Sequence, residues 1–149
     1  MRKYILLLIT ILATIKITAQ NNENFYFSNL NLKDGLSQIS VIKIFQDTKG
    51  FIWFATRNGL NRYDGSEFVI YKHDPKDSLT LSDNHIWALA EDNDRNLWVG
   101  TARGLNKIDL KTNRITSFID ERYGAFAKSE VRSLAVDSRN RLWIGTTKG

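Results

Sequence analysis

An all-β fold built from a repeated unit is predicted by three observations. Four residue types recur at a fixed spacing of 45, runs of strand length alternate with turn residues, and no helical periodicity appears after residue 20. The period is carried by Asp47, Asp92 and Asp137, by Trp53, Trp98 and Trp143, by Thr56, Thr101 and Thr146, and by Gly59, Gly104 and Gly149. Four columns held in register three times identify a repeat before any single strand is considered. Within the first unit, apolar and β-branched runs at 41–46, 51–55, 60–63 and 68–71 read as strands. Asp47 with Gly50, Asn58-Gly59 and Asp64-Gly65 supply the turns between them. The second unit repeats this at 86–91, 97–100, 105–108 and 115–118. Four short strands in about 45 residues make one blade of a β-propeller. The expected fold class is therefore a partial β-propeller, about two and a half four-stranded blades behind an N-terminal leader.

The chain divides accordingly. Residues 1–19 have a basic start, an apolar run and a small residue at Ala19, which is the layout of a signal peptide cleaved after that residue. About 12 apolar residues is short for a bilayer-spanning anchor, the alternative for this segment. Residues 20–40 form a lead-in, 41–85 the first blade, 86–130 the second, and 131–149 a truncated third. The formal charge of +5 comes largely from the leader: with Arg2, Lys3 and Lys16 removed, 18 basic residues face 16 acidic ones, a net +2. The basic balance gives no ground for nucleic-acid binding through this segment. There are no cysteines, which excludes disulfides, thiolate metal sites and a cysteine nucleophile. A 42% hydrophobic content with a single proline excludes a disordered chain. Propellers usually close with four to eight blades, so the chain reads as the beginning of a longer protein.

Each repeated position has a structural reading. A short carboxylate at 47, 92 and 137 accepts turn N–H groups. The tryptophans fill the gap between neighbouring blades. The threonines bond locally at strand ends, and the glycines supply positive φ in the following turn. No phosphate loop, nucleophile elbow or dinucleotide fingerprint is present. Asp92-x-Asp94-x-Asn96 opens like a calcium loop but has Leu97 where glycine is needed and Arg103 where the bidentate glutamate belongs. His73 and His85 read as solvated loop residues. No metal ligand set, cofactor or catalytic residue is expected.

Recognition is expected where the repeats differ. Arg57, Asn58 and Arg103 lie in equivalent connections between second and third strands. Trp87 stands out because its column reads Ile42, Trp87, Arg132 and so falls outside the framework. Arginine offers planar donors to sugar hydroxyls or carboxylates, and tryptophan a flat apolar face. These four are the candidate ligand-binding residues, with local packing under the 72–85 loop as the other reading of Trp87.

Asp34-Gly35-Leu36-Ser37-Gln38, Gly50-Phe51-Ile52-Trp53-Phe54-Ala55-Thr56-Arg57-Asn58-Gly59-Leu60 and Asn96-Leu97-Trp98-Val99-Gly100-Thr101 resemble the two-component regulator propeller repeats. In that family the repeats form the N-terminal periplasmic region of hybrid two-component sensors. The resemblance implies a ligand-sensing module that takes an oligosaccharide or other small molecule, and it implies further blades as intramolecular partners. It also implies a homodimer in the full-length sensor, anchored to the inner membrane. Residues 25–32 would supply a strand closing the ring. The histidine kinase of longer members has no counterpart here, so no enzyme activity is expected of this chain. Two alternatives remain: a secreted propeller hydrolase or lyase acting on glycans, since the turn at 47–53 resembles a sialidase-type aspartate box, and a structural cell-surface interaction propeller.

Overall fold

The computed structural model describes residues 26–124 and 126–148. The signal peptide reading, Phe25 and Gly149 lie outside them. Among the described residues, ten strands form three antiparallel sheets. The first orders β1 (Val41–Gln46), β2 (Ile52–Thr56), β3 (Gly59–Tyr63) and β4 (Phe68–Tyr71) in sequence. The second does the same with β5 (Ile86–Glu91), β6 (Asn96–Thr101), β7 (Gly104–Asp109) and β8 (Ile115–Phe118). The third holds β9 (Val131–Val136) and β10 (Leu142–Thr146). The chain is all-β, a partial propeller whose first strands β1, β5 and β9 stand side by side.

Strand alternation decides which residues meet between sheets. In the first sheet Trp53 pairs with Arg62, and Ala55 with Leu60, whose partner on β4 is Tyr71. That face meets Leu97, Val99, Ile108 and Ile115 of the second sheet in one buried cluster. The opposite face of the second sheet carries Trp98 and Gly100 and receives β9. A Cβ at Gly100 would lie 2.6 Å from the Val131 carbonyl oxygen, so the close approach of β9 requires glycine there.

The aspartates hold their turns as expected, and they also hold the tryptophans. Asp47 accepts the Lys49 and Phe51 N–H groups at 2.9 and 3.0 Å, and the Trp53 indole N–H at 2.8 Å. Asp92 bonds Trp98 at 2.8 Å and Asp137 bonds Trp143 at 3.1 Å. Inter-blade filling holds for Trp53, which is fully buried, and in part for Trp98. It fails for Trp143, which is 58% exposed because no sheet lies on that face among the described residues. Thr56 and Thr101 donate to the carbonyls of Gly59 and Gly104 at 2.8 and 3.0 Å. Thr146 accepts the Lys148 N–H at 3.4 Å. Gly59 has φ of 113°, and its N–H donates to the Asn84 carbonyl at 2.8 Å; Gly104 repeats this with Ser129 at 2.8 Å. Each hairpin turn is thereby tied to the segment that leads into the next blade.

A further pair of columns completes the framework. Ser37 and Ser82 N–H groups donate to the side-chain oxygens of the fully buried Asn61 and Asn106, at 2.8 and 2.9 Å. Buried amides need such partners, and these dock each lead-in segment onto its own sheet. Residues 26–31 form no strand, and Leu32–Asp34 is a 3-10 turn. Over the described part of the expected closing strand, residues 26–32, no strand is formed.

Candidate functional site

The innermost strands share an irregularity at one position. The β1–β2 register skips Ile42, the β5–β6 register skips Trp87, and the β9–β10 register skips Arg132. These are β-bulges, which re-aim a side chain out of the regular alternation. The column that breaks the repeat in sequence is thus the bulge column of the fold.

At the second and third sheets the bulge residues meet. The Arg132 guanidinium carbon lies 3.6 Å from the centroid of the Trp87 ring. The His85 ring centroid lies 3.9 Å from the same ring, tilted by 32°. Arg132 is paired with Glu130, which accepts its Nε–H at 2.7 Å. His85 is fixed through its backbone: its N–H donates to Asp83 at 2.8 Å and its carbonyl accepts the Ala102 N–H at 3.0 Å. The expectation of a solvated histidine is corrected in part: the His85 ring is half-buried, stacked on Trp87 with its Nε2 out of solvent. His73 is also anchored, its Nδ1 lying 2.6 Å from the Leu81 carbonyl oxygen.

The electrostatics follow from this packing. Burial holds the His85 pKa below its usual value, and the Arg57 charge pushes it the same way; Asp83 opposes, and Arg132 and Glu130 add smaller, opposite effects. The packing therefore favours the neutral imidazole of His85. The His85 Nε2 and Trp87 Nε1 atoms are buried, and neither has a hydrogen-bond partner among the described residues.

The four predicted residues do not converge on one spot. Trp87 is the centre of the cluster. Arg57 flanks it, because the bond from Gly59 to Asn84 brings the β2–β3 turn beside His85. Asn58 is committed to the framework: its side-chain amide donates to the Ser37 carbonyl at 3.0 Å. Arg103 instead lines a separate groove of about 590 Å³ between the 73–82 loop and β8, with Arg114, Ser117 and Ile119. Sequence reasoning missed His85, Glu130 and Arg132 as members of the site. Arg132 was visible in the non-repeating column, whereas nothing local to His85 or Glu130 distinguished them. Among the described residues no group of three or more His, Asp or Glu is placed to hold a metal ion, and no helix is long and apolar enough to cross a membrane.

Comparison with known proteins places this arrangement. Residues 35–58, 80–103 and 125–148 match the family model described as Two component regulator propeller. A histidine kinase, P4, of Formosa agariphila is 50% identical over 68 residues, which are 46% of this chain and 5% of that protein. The extracellular domain of a protein assigned to a hybrid two component system in B. thetaiotaomicron superposes with a TM-score of 0.61 at 27% identity, covering 76% of this chain and 15% of that one. A second solved structure of that extracellular domain, ascribed to a one component system, gives 0.61 at 25% identity, over 77% and 15%. The chain thus spans a small part of the length of these relatives.

Proposed function

Since the chain belongs to the Two component regulator propeller family, we propose that it is part of the ligand-sensing region of a two component regulator and acts by binding, with no chemistry of its own. The ligand is a small molecule of the oligosaccharide class, met outside the cytoplasm, as befits a chain similar to extracellular domains. The observation that carries this reading is the bulge column. Three equivalent positions of the innermost strands hold Ile42, Trp87 and Arg132, so one irregular backbone site presents a different side chain in each blade. A framework demand would favour one residue type there, as it does at Trp53 and Trp98. Divergence at a shared bulge is the mark of a surface used for recognition. Arg57, at the turn beside His85, belongs to the same edge, and Trp87 supplies its apolar ring.

Titration calorimetry of the chain with a panel of oligosaccharides tests the reading. Saturable binding that is lost in Trp87→Ala, with thermal unfolding retained, supports it. Binding unchanged in both Trp87→Ala and Arg57→Ala moves the site off this edge.

A further inference from the structure

The site just described contains two hydrogen-bonding atoms with nothing to bond. Trp87 Nε1 can only donate. It is buried and without a partner, and His85 Nε2 on the stacked ring beside it is in the same condition. Native interiors rarely leave such groups unmet, and an exception signals an occupant that the protein atoms do not supply. Because the indole cannot accept, whatever meets it brings an acceptor, which a water oxygen or a ligand oxygen supplies.

The surroundings specify its charge. Arg132 lies on the Trp87 ring, and the charges felt by His85 are two guanidinium groups, Arg57 and Arg132, against two carboxylates, Asp83 and Glu130. Both carboxylates are already engaged: Asp83 accepts the His85 N–H, and Glu130 accepts from Arg132. Arg57 has no ion-pair partner among the described residues. The side chain of Arg132 is 46% exposed, so its bond to Glu130 is an ion pair in contact with water. Such pairs contribute little to stability, so little is lost when Arg132 takes another partner. Arg132 also lies over the Trp87 ring, within reach of a group that approaches the indole.

We infer that this cradle takes an anionic oxygen group of the ligand, a carboxylate or a sulfate, which accepts from Trp87 Nε1 and His85 Nε2 while Arg132 leaves Glu130 to pair with it. A neutral hydroxyl could accept from the indole but could not compete with Glu130 for the guanidinium. The inference rests on the proposed ligand site at this edge and adds the chemical class of what binds there.

The test follows the indole N–H resonances of the ¹⁵N-labelled chain, with the Trp87 signal assigned by its loss in Trp87→Phe. Sodium glucuronate, sodium sulfate and glucose are titrated separately at constant ionic strength. The Trp87 signal is expected to move downfield and saturate with glucuronate, with sulfate or with both, while glucose leaves it in place and Trp53 does not respond. A response to glucuronate alone identifies a carboxylate, and a response to sulfate alone identifies a sulfate. Arg132→Gln should weaken the anion by roughly tenfold, the loss of one charge-assisted contact. Glu130→Gln, which frees Arg132 without removing it, should tighten binding and serves if Arg132→Gln does not fold. Movement with glucose but not with either anion leaves the ligand site standing and overturns the anionic class. No movement with any of the three overturns both.

Discussion

Trp53 and Trp143 hold the same place in the first and third sheets and make the same bond, to the aspartate six residues earlier, at 2.8 and 3.1 Å. Their surroundings are opposite: Trp53 has no exposed surface and Trp143 is 58% exposed. Trp98, bonded to Asp92 at 2.8 Å, lies between them, with the two-stranded third sheet over part of its face. The comparison separates two layers of construction. The aspartate turn and its indole bond are completed within a single hairpin, so they form whether or not a neighbour is present. Burial is supplied by the next sheet and measures how far that neighbour extends. The acids report the same division. Burial raises the Asp92 pKa, but N–H bonds from Asn96, Trp98 and Asp94 outweigh it and leave the value low. At Asp137 the Arg141 N–H and the Trp143 indole bring it to about 2.

The largest expected effect is at the buried end of this series. Trp53→Ala should cost about 3–5 kcal/mol, as for other large aromatics removed from a core, whereas Trp143→Ala should cost about 0.5 kcal/mol or less, as for surface changes. Urea denaturation of both variants checks the gap, and equal losses would erase the distinction between the two sheets. Gly100→Ala comes next. Its new Cβ would meet the Val131 carbonyl, a backbone atom that cannot rotate away, and overpacking of this kind costs about 1–3 kcal/mol. At the equivalent Gly145 the obstacle is the Ser133 hydroxyl, a side-chain tip that can turn, so Gly145→Ala should cost less by the same assay.

Acid should weaken the turns next. Because Asp137 titrates lower in the folded chain than in the unfolded one, the unfolded state takes up protons first. Its contribution is complete above about pH 4 and is lost as the pH falls through about 2. Asp137→Asn should flatten the fall of the melting temperature across that window. The smallest effect is expected at Thr48, whose N–H and hydroxyl both donate to Glu91 across the first inter-blade seam, at 2.8 and 2.7 Å on an exposed edge. Thr48→Ala removes the hydroxyl bond alone and should cost about 0.5–1 kcal/mol in thermal unfolding.

Much of the fold was legible because it is local and periodic. The strands at Val41–Gln46, Phe68–Tyr71, Ile86–Glu91 and Ile115–Phe118 fall where alternation and turn residues put them, and those at Ile52–Thr56, Gly59–Tyr63, Asn96–Thr101 and Gly104–Asp109 differ by one residue at their ends. The turn role of Asp47 was also readable, since a carboxylate two residues before a free N–H bonds it in most contexts. The indole partner is not legible in the sequence, because nothing in the spacing says which way a tryptophan ring lies. Asn61 and Asn106 also recur at the common period, yet their buried bonds to Ser37 and Ser82 depend on how the lead-in segment docks. The site is the least legible part. Trp87 stands out by its column, but its contact with Arg132 joins two first strands 45 residues apart, and the half-buried His85 ring stacks on Trp87. Asn58 and Arg103 share a hairpin position, but the first is tied to Ser37 and the second faces the 73–82 groove, a divergence set by the lead-in and the loop.

The central claim is that the aspartate–tryptophan bond belongs to each hairpin while burial belongs to the neighbouring sheet. Hydroxyl-radical footprinting of the folded chain, read at each tryptophan by mass spectrometry, tests it most directly. Trp143 should be oxidised fastest, Trp98 more slowly and Trp53 slowest, and removing Asp137's carboxylate by Asp137→Asn should leave that order intact. Equal protection of Trp143 and Trp53 in the monomeric chain would contradict the account.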